Sequence, residues 1–278
     1  MTLSYENTIA TAEVVCYTVA LSLAVALTVR HGWRKQPCWP ALVAFAIVRI
    51  LGAAMELGTL AAPLNFSLYR GAATLTHAGL PLLLGTLLGL ILVVRNSVHK
   101  KRQTIVRSFV MHIQALLLVG AFILGIVGAT SVPDSDFAGF TTTKVPSALV
   151  ASVILDLIAF FSLAVCTVSL CFYTQCVPSA EKRLLMAAVA SLPFLLVRVV
   201  YSALCVSLDN MALHWFKGCL LMFIGMAVVM EMLAVTTYTC AGLVPGCWRS
   251  RKAATTGAAK GKRADKPDSE NLIALNSQ

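Results

Sequence analysis

Apolar and polar positions alternate along this chain in long blocks, and not with the short period of an amphipathic helix or strand. Seven apolar runs of roughly the 20 residues that a membrane-spanning helix needs are separated by short polar segments. This pattern predicts an all-α, polytopic membrane protein, with a bundle of seven transmembrane helices in residues 1–245. The predicted helices lie at about 8–29, 38–60, 71–94, 108–130, 147–172, 184–207 and 214–243.

Composition supports this interpretation and leaves little of the chain for a soluble domain. Of the 278 residues 58% are hydrophobic and 12% are charged, and the mean hydropathy is +0.82. Soluble domains carry about twice that share of charged residues. The segment 246–278 is rich in Ala, Gly, Lys and Arg and lacks apolar periodicity, which predicts a basic, disordered tail.

The distribution of basic residues predicts the orientation. Of the 22 Lys and Arg residues, 17 fall on the side that holds the odd-numbered loops and the C-terminal tail. Because such loops stay cytoplasmic, we expect the N-terminus outside or in the lumen and the C-terminus in the cytoplasm. The net charge of +10 then favours contact with membrane lipids, above all the anionic cytoplasmic leaflet, and not with nucleic acid. We expect an integral, multi-pass protein of the endomembrane system or the plasma membrane.

Ionisable residues interrupt the apolar runs. Each costs about 2.5 to 3.5 kcal/mol to insert near mid-membrane, so such residues usually face the interior of a bundle. Glu13 falls in the outer half of the first run, where it could instead reach the membrane interface and be solvated by water. The candidate intramembrane polar site comprises Arg49, Glu56, His77, Asp156, Arg198, Tyr201 and Glu231.

Two interpretations of these residues stay open. Each arginine pairs with one carboxylate and braces the bundle, or the cluster forms a site for a ligand or a proton. Four acids, Glu13 included, stand against the two arginines Arg49 and Arg198, so a surplus carboxylate could carry a proton.

Three further signals are local. Asn65, Phe66 and Ser67 form a glycosylation sequon on the side predicted to face outward. Gly85 and Gly89, one turn apart, predict close helix packing within the bundle. Trp39 falls at a predicted membrane boundary, which favours a role as an interfacial anchor.

Several segments together are similar to a known family. They are His31-Gly32-Trp33 with Arg34, the run Val48-Arg49-Ile50-Leu51-Gly52, and Pro193-Phe194-Leu195-Leu196-Val197-Arg198 with Tyr201. The chain resembles a group of fungal seven-helix membrane proteins that is catalogued as a domain of unknown function. The resemblance implies a fungal integral membrane protein and supplies no established activity.

The sequence leaves three function classes open. One is a non-enzymatic protein that binds or moves a lipid-like or small amphipathic molecule. Another is an enzyme similar to the membrane-embedded terpenoid cyclases, in which a protonated acid, Glu56 or Asp156, would start the reaction. The third is a receptor-like scaffold held by structural charge pairs.

Motifs for bound metals and cofactors are missing from the sequence. There is no HExxH, no P-loop and no GxSxG, and the cysteines lack metal-like spacing. A retinal Schiff base would need a lysine deep in the last helix, and Lys217 falls at its predicted start. We therefore expect neither a metal nor a cofactor.

Overall fold

The computed structural model describes residues 5–32, 36–62, 65–99, 108–132, 145–173, 179–207 and 224–243. These ranges form seven α-helices and contain no β-strand. A π-helical turn, Ile224–Val229, precedes the last helix directly. The helices are α1 (Tyr5–His31), α2 (Cys38–Gly58), α3 (Phe66–His99), α4 (Ser108–Thr130), α5 (Ser147–Cys171), α6 (Ser179–Ser207) and α7 (Met230–Leu243).

Six of these helices, α1 to α6, are long and apolar enough to cross a membrane. Their bounds follow the predicted ones closely, except that α3 has 34 residues and extends past both ends of the predicted 71–94. The predicted seventh span, 214–243, is only partly described, because 214–223 lie outside the described residues. Its described apolar helix, Ala227–Leu243, is shorter than a span. The predicted tail, 246–278, also lies outside them.

Helix α3 occupies the centre of the bundle. It contacts α2, α4, α5 and α6, while α7 closes the bundle between α6 and α1. Its most apolar 18-residue window is 83% buried, compared with 28% for α4 at the periphery. A long central helix therefore supplies the surface against which α2, α4, α5 and α6 are positioned.

The distribution of polar and apolar residues is reversed relative to a soluble protein. Glu231 and Asp156 are completely buried, whereas Leu116 and Phe109 on α4 are 71% and 70% exposed. Large apolar side chains on the outside are stable only when lipid replaces water, and charged groups then have to turn inward. This arrangement agrees with a multi-pass membrane protein.

The glycine pair on α3 serves packing at one position only. A Cβ atom on Gly89 would lie 2.6 Å from the backbone nitrogen and Cα of Cys38, at the start of α2. A Cβ atom on Gly85 would have no atom within 4 Å. Gly89 thus lets α2 approach α3 closely, and Gly85 faces open space.

Trp39 is 1% exposed, so its predicted role as an interfacial anchor is wrong. Its indole Nε1 donates to Gln36 Oε1 at 2.6 Å, and its ring stacks on His31 of α1 at 5.5 Å between centroids. Gly242 of α7 leaves the space that the indole fills. The indole therefore joins α1, α2 and α7 at one end of the bundle.

Candidate functional site

The carboxylate of Glu231 lies at the junction of four helices. Glu231 is the second residue of α7, directly after the π-helical turn. Arg49 of α2 donates from Nη2 to Oε2, and Tyr17 of α1 donates its hydroxyl to the same oxygen at 3.2 Å. Arg198 of α6 donates from Nε to Oε1 at 2.6 Å. All four side chains are buried, so this network closes in a low-dielectric interior.

Arg198 uses two edges of its guanidinium group. Besides the bond to Glu231, its Nη1 donates to Ser202 Oγ at 2.6 Å, one turn further along α6. Its Cζ atom also lies 5.9 Å from the centre of the Tyr201 ring. The planar fork of arginine permits this combination, and an ammonium group would not reproduce it.

Tyr17 is the member of this network that sequence reasoning missed. It is fully buried, its ring meets Phe45 edge to face at 5.7 Å, and Arg49 Cζ lies 5.8 Å from the ring centre. The sequence carried one weak signal, since Tyr17 follows Glu13 by four residues and therefore shares its helix face.

The structure brings the predicted site residues together in part. Arg49, Arg198 and Glu231 form the network, and Tyr201 packs against it. The brace interpretation expected each arginine to pair with a carboxylate of its own. Instead, both arginines bind Glu231. Glu56 lies two turns beyond Arg49 on α2 and is only part-buried.

His77 and Asp156 lie on the other side of Arg198. His77 Nε2 is 2.9 Å from Ser152 Oγ on α5, and that hydroxyl also donates to the carbonyl oxygen of Leu149 at 2.9 Å. Asp156 is completely buried, and neither of its carboxylate oxygens has a hydrogen-bond partner among the described residues. Arg198 interacts electrostatically with both groups.

A crevice and a smaller cavity, both lined by described residues, adjoin the network. A crevice of about 330 Å³ lies between α1 and the π-helical turn with α7. A much smaller cavity, about 20 Å³, lies between α3, α5 and α6 and is lined by His77, Leu149, Arg198, Tyr201, Ser202, Cys205 and Val206. The crevice is lined by Ile9, Ala12, Glu13, Cys16, Tyr17, Val228, Val229, Met232, Leu233 and Thr236.

Glu13 is the acidic group of the crevice. It is 7% exposed and interacts electrostatically with Arg49, Glu231 and Arg198. No residue in the described ranges donates a hydrogen bond to it. Of the three buried acids that the structure describes, Glu13 and Glu231 are formally balanced by the two arginines, which leaves Asp156 as the surplus.

A metal site is not formed within the described part of the chain, where no three His, Cys, Asp or Glu side chains are grouped to hold an ion.

The acceptor residue of the predicted glycosylation sequon, Asn65, lies among the described residues. Asn65 is exposed and caps α3, because its Oδ1 accepts from the backbone nitrogen of Ser67 at 3.2 Å and from the Ser67 hydroxyl.

A family model for a domain of unknown function, DUF7702, matches residues 3–245. The chain belongs to the DUF7702 family. No curated protein matches the chain. No solved structure matches it either.

The match covers every described helix of this DUF7702 protein and the whole Glu231 network. The bundle and the network are therefore parts of one domain. Because the family has no assigned activity, the function has to be argued from the geometry of the two spaces and the charges between them.

Proposed function

We propose that this protein is a seven-span membrane protein, of the fungal origin and the orientation predicted from its sequence, that binds a lipid-like or small amphipathic molecule. The crevice between α1 and α7 is the proposed binding site. The single observation that carries the proposal is the composition of its wall, which is apolar except for Glu13, Tyr17 and Thr236.

The dimensions of the crevice suit such a ligand. Its volume of about 330 Å³ lies at the lower end of the range of about 300 to 1,000 Å³ that small-molecule sites occupy. A second, shallower groove of about 430 Å³ runs along α1 and shares Ala12 and Cys16 with it. An apolar chain can therefore continue from the crevice along α1 toward lipid.

The charges favour a ligand whose head group donates a hydrogen bond. Glu13 accepts no hydrogen bond from the described residues, and Arg49 and Glu231 interact with it electrostatically. A hydroxyl head group would donate to Glu13 and leave the balance of two arginines against two glutamates unchanged. A carboxylate head group would meet the repulsion of Glu13 and Glu231.

The π-helical turn supports the same location. Val228 and Val229 of this turn line the crevice, and Glu231 follows within two residues. Turns of this kind occur mostly as local insertions in α-helices and often accompany functional sites. Here the turn widens the helix where it faces Glu13.

A cyclase is the weaker candidate. Its acid would have to adjoin a cavity that holds the whole substrate. Asp156 lies one turn from Ser152, and the described cavity in that region measures about 20 Å³, which is room for about one water molecule. Glu56 is part-exposed and lines neither space.

Photolabelling of the purified protein in lipid nanodiscs tests the proposal. The probes are a photoreactive fatty alcohol and the fatty acid of the same chain length. We expect the alcohol to label peptides that contain residues 9–17 or 228–236, and the acid to label them less. Glu13→Gln should weaken alcohol labelling about tenfold, since hydrogen bonds to charged groups contribute about 1.5 to 3 kcal/mol.

Ala12→Trp fills the crevice and should abolish this labelling. Its matched control is Ala115→Trp, which places the same side chain at an exposed alanine of α4. Equal labelling of the two variants would reject the crevice as the site. Equal labelling by alcohol and acid would reject the role of Glu13.

A further inference from the structure

Asp156 is a buried acid without a partner in the described protein. Its side chain is completely buried on α5, and both carboxylate oxygens lack hydrogen-bond donors among the described residues. An ionised carboxylate in such a position would bear the full cost of lost hydration. A protonated carboxyl group avoids most of that cost.

The groups around Asp156 do not offer it a compensating ion pair. Helix α5 packs against α3, α4 and α6. From α6 Arg198 acts on Asp156 electrostatically, but its Nε and Nη1 donate to Glu231 and Ser202. From α3 the nearby ionisable group is His77, bonded to Ser152. The ionisable residue of α4 is His112, which is exposed at the far end of that helix.

Two polar side chains, Ser152 and His77, form the route from Asp156 to the small cavity. Leu149, Ser152 and Asp156 follow one face of α5, and residues four apart on a helix have Cβ atoms about 6 Å apart. Leu149 and His77 line the cavity, and Ser152 is bonded to His77. Gly125 of α4 makes room for this contact, because its Cβ would lie 2.9 Å from His77 Cδ2.

We propose that Asp156 is a proton-binding site that is loaded from the cavity between α3, α5 and α6 through His77 and Ser152. A hydronium ion in the cavity gives a proton to Nδ1 of His77, which leaves a neutral water molecule and an imidazolium group. His77 Nε2 then gives a proton to Ser152 Oγ while Ser152 passes its own hydroxyl proton to Asp156, so one proton moves and only N–H and O–H bonds change. The Ser152 hydroxyl turns away from Leu149 O in this step. A rotamer change of Asp156, or one water molecule, spans the distance between Ser152 Oγ and the Asp156 carboxylate. The site is independent of the amphiphile crevice.

Infrared spectroscopy of the purified protein in nanodiscs tests the protonated state. We expect the carbonyl band of a protonated carboxylic acid at neutral pH. Asp156→Asn should remove this band, and Glu56→Gln should leave it. Labelling all aspartate side-chain carbons with carbon-13 should shift the band without any mutation, which keeps the test valid if Asp156→Asn does not fold. Asp156 is the single aspartate within the described ranges.

Exchange into heavy water tests the route. The same band shifts when deuterium replaces the proton of the carboxyl group, so its time course measures access to Asp156. His77→Gln and Ser152→Ala should slow this exchange at least about tenfold, because relays by positioned acid–base groups contribute factors of about a hundred or more. Thr167→Val is the matched control, since it removes another buried hydroxyl of α5, one that donates to Leu163 O.

Either of two results would overturn the proposal. The absence of a carbon-13-sensitive acid band would show that Asp156 is ionised. Exchange that is equally fast in wild type, His77→Gln and Ser152→Ala would show that the proton takes another path. Neither result depends on whether an amphiphile binds, so the two proposals fail separately.

Discussion

Arg198 Nε donates to Oε1 of Glu231 at 2.6 Å and joins α6 to α7 across 33 positions of the chain. The second oxygen of the same carboxylate accepts from Arg49 of α2 and Tyr17 of α1. One acid therefore connects four helices. The alternative in which each arginine has its own carboxylate would have connected helices only in separate pairs.

Glu231→Gln is expected to be the most damaging single substitution in the network. The amide keeps the shape of the side chain but removes the charge that both arginines share, and breaking a buried pair costs about 3 to 5 kcal/mol. We expect a large loss of monodisperse protein in detergent and a lower Tm. Glu56→Gln is the control, because Glu56 is only part-buried. Comparable losses in both variants would contradict a central role for Glu231.

Arg198→Lys should lower stability more than Arg49→Lys. Arg198 binds two partners, through Nε and Nη1, whereas Arg49 donates one hydrogen bond to Glu231, through Nη2, among the described residues. A lysine retains the charge but not the fork, so Arg198→Lys leaves either Ser202 Oγ or Glu231 Oε1 without its arginine donor, at about 1 to 3 kcal/mol. Thermal unfolding of the two variants side by side measures this difference. Small and equal losses in the two variants would show that the charge suffices, and the reverse order would show that the second bond of Arg198 does not set the requirement.

Tyr17→Phe should have a modest effect and Tyr17→Leu a larger one. Phenylalanine keeps the ring contact with Phe45 and the contact between the ring and the Arg49 guanidinium group. It loses the 3.2 Å hydrogen bond to Glu231, which contributes about 1 kcal/mol. Leucine also removes the ring and leaves a gap. Denaturant or thermal unfolding separates the two contributions. If both variants unfold alike, the hydroxyl is the whole of the contribution of Tyr17.

Gly85 and Gly89 of α3 give a matched pair. Gly89→Ala should destabilise the protein by about 1 to 3 kcal/mol, because the added carbon would lie 2.6 Å from the backbone of Cys38. Gly85→Ala meets no atom within 4 Å and should leave stability unchanged or raise it by up to about 1 kcal/mol through helix propensity. Equal Tm values for the two variants would contradict the close approach of α2 and α3.

Much of the fold follows from the sequence because the solvent is lipid. In lipid, an apolar run of about 20 residues can pair its own backbone N–H and C=O groups only as a helix, so the six helices α1 to α6 could be predicted from hydropathy. Arg49, Arg198, Asp156 and Glu231 could also be placed in the bundle interior, because a charge facing hydrocarbon is costly. Seven spans and the orientation stay predictions.

Partner choice could not be predicted from the sequence. Residue positions set the depth of a side chain, and several acids are compatible with each arginine in depth. Which of them binds depends on the rotation and adjacency of helices, which are fixed by packing contacts such as Gly89 against Cys38 and Gly242 against Trp39. Tyr17 was missed for the same reason, since a tyrosine in an apolar run carries no charge that would require a partner.

The sequence by itself determined an all-α membrane protein with charged residues in its interior, because both consequences follow from one-dimensional spacing and the cost of placing charge in lipid. Only the tertiary structure decided that Arg49, Arg198 and Tyr17 share Glu231, that Asp156 is left without a partner in the described chain, and that a crevice opens beside Glu13. These features depend on which helix faces turn toward each other, and that is set by contacts between residues far apart in the chain.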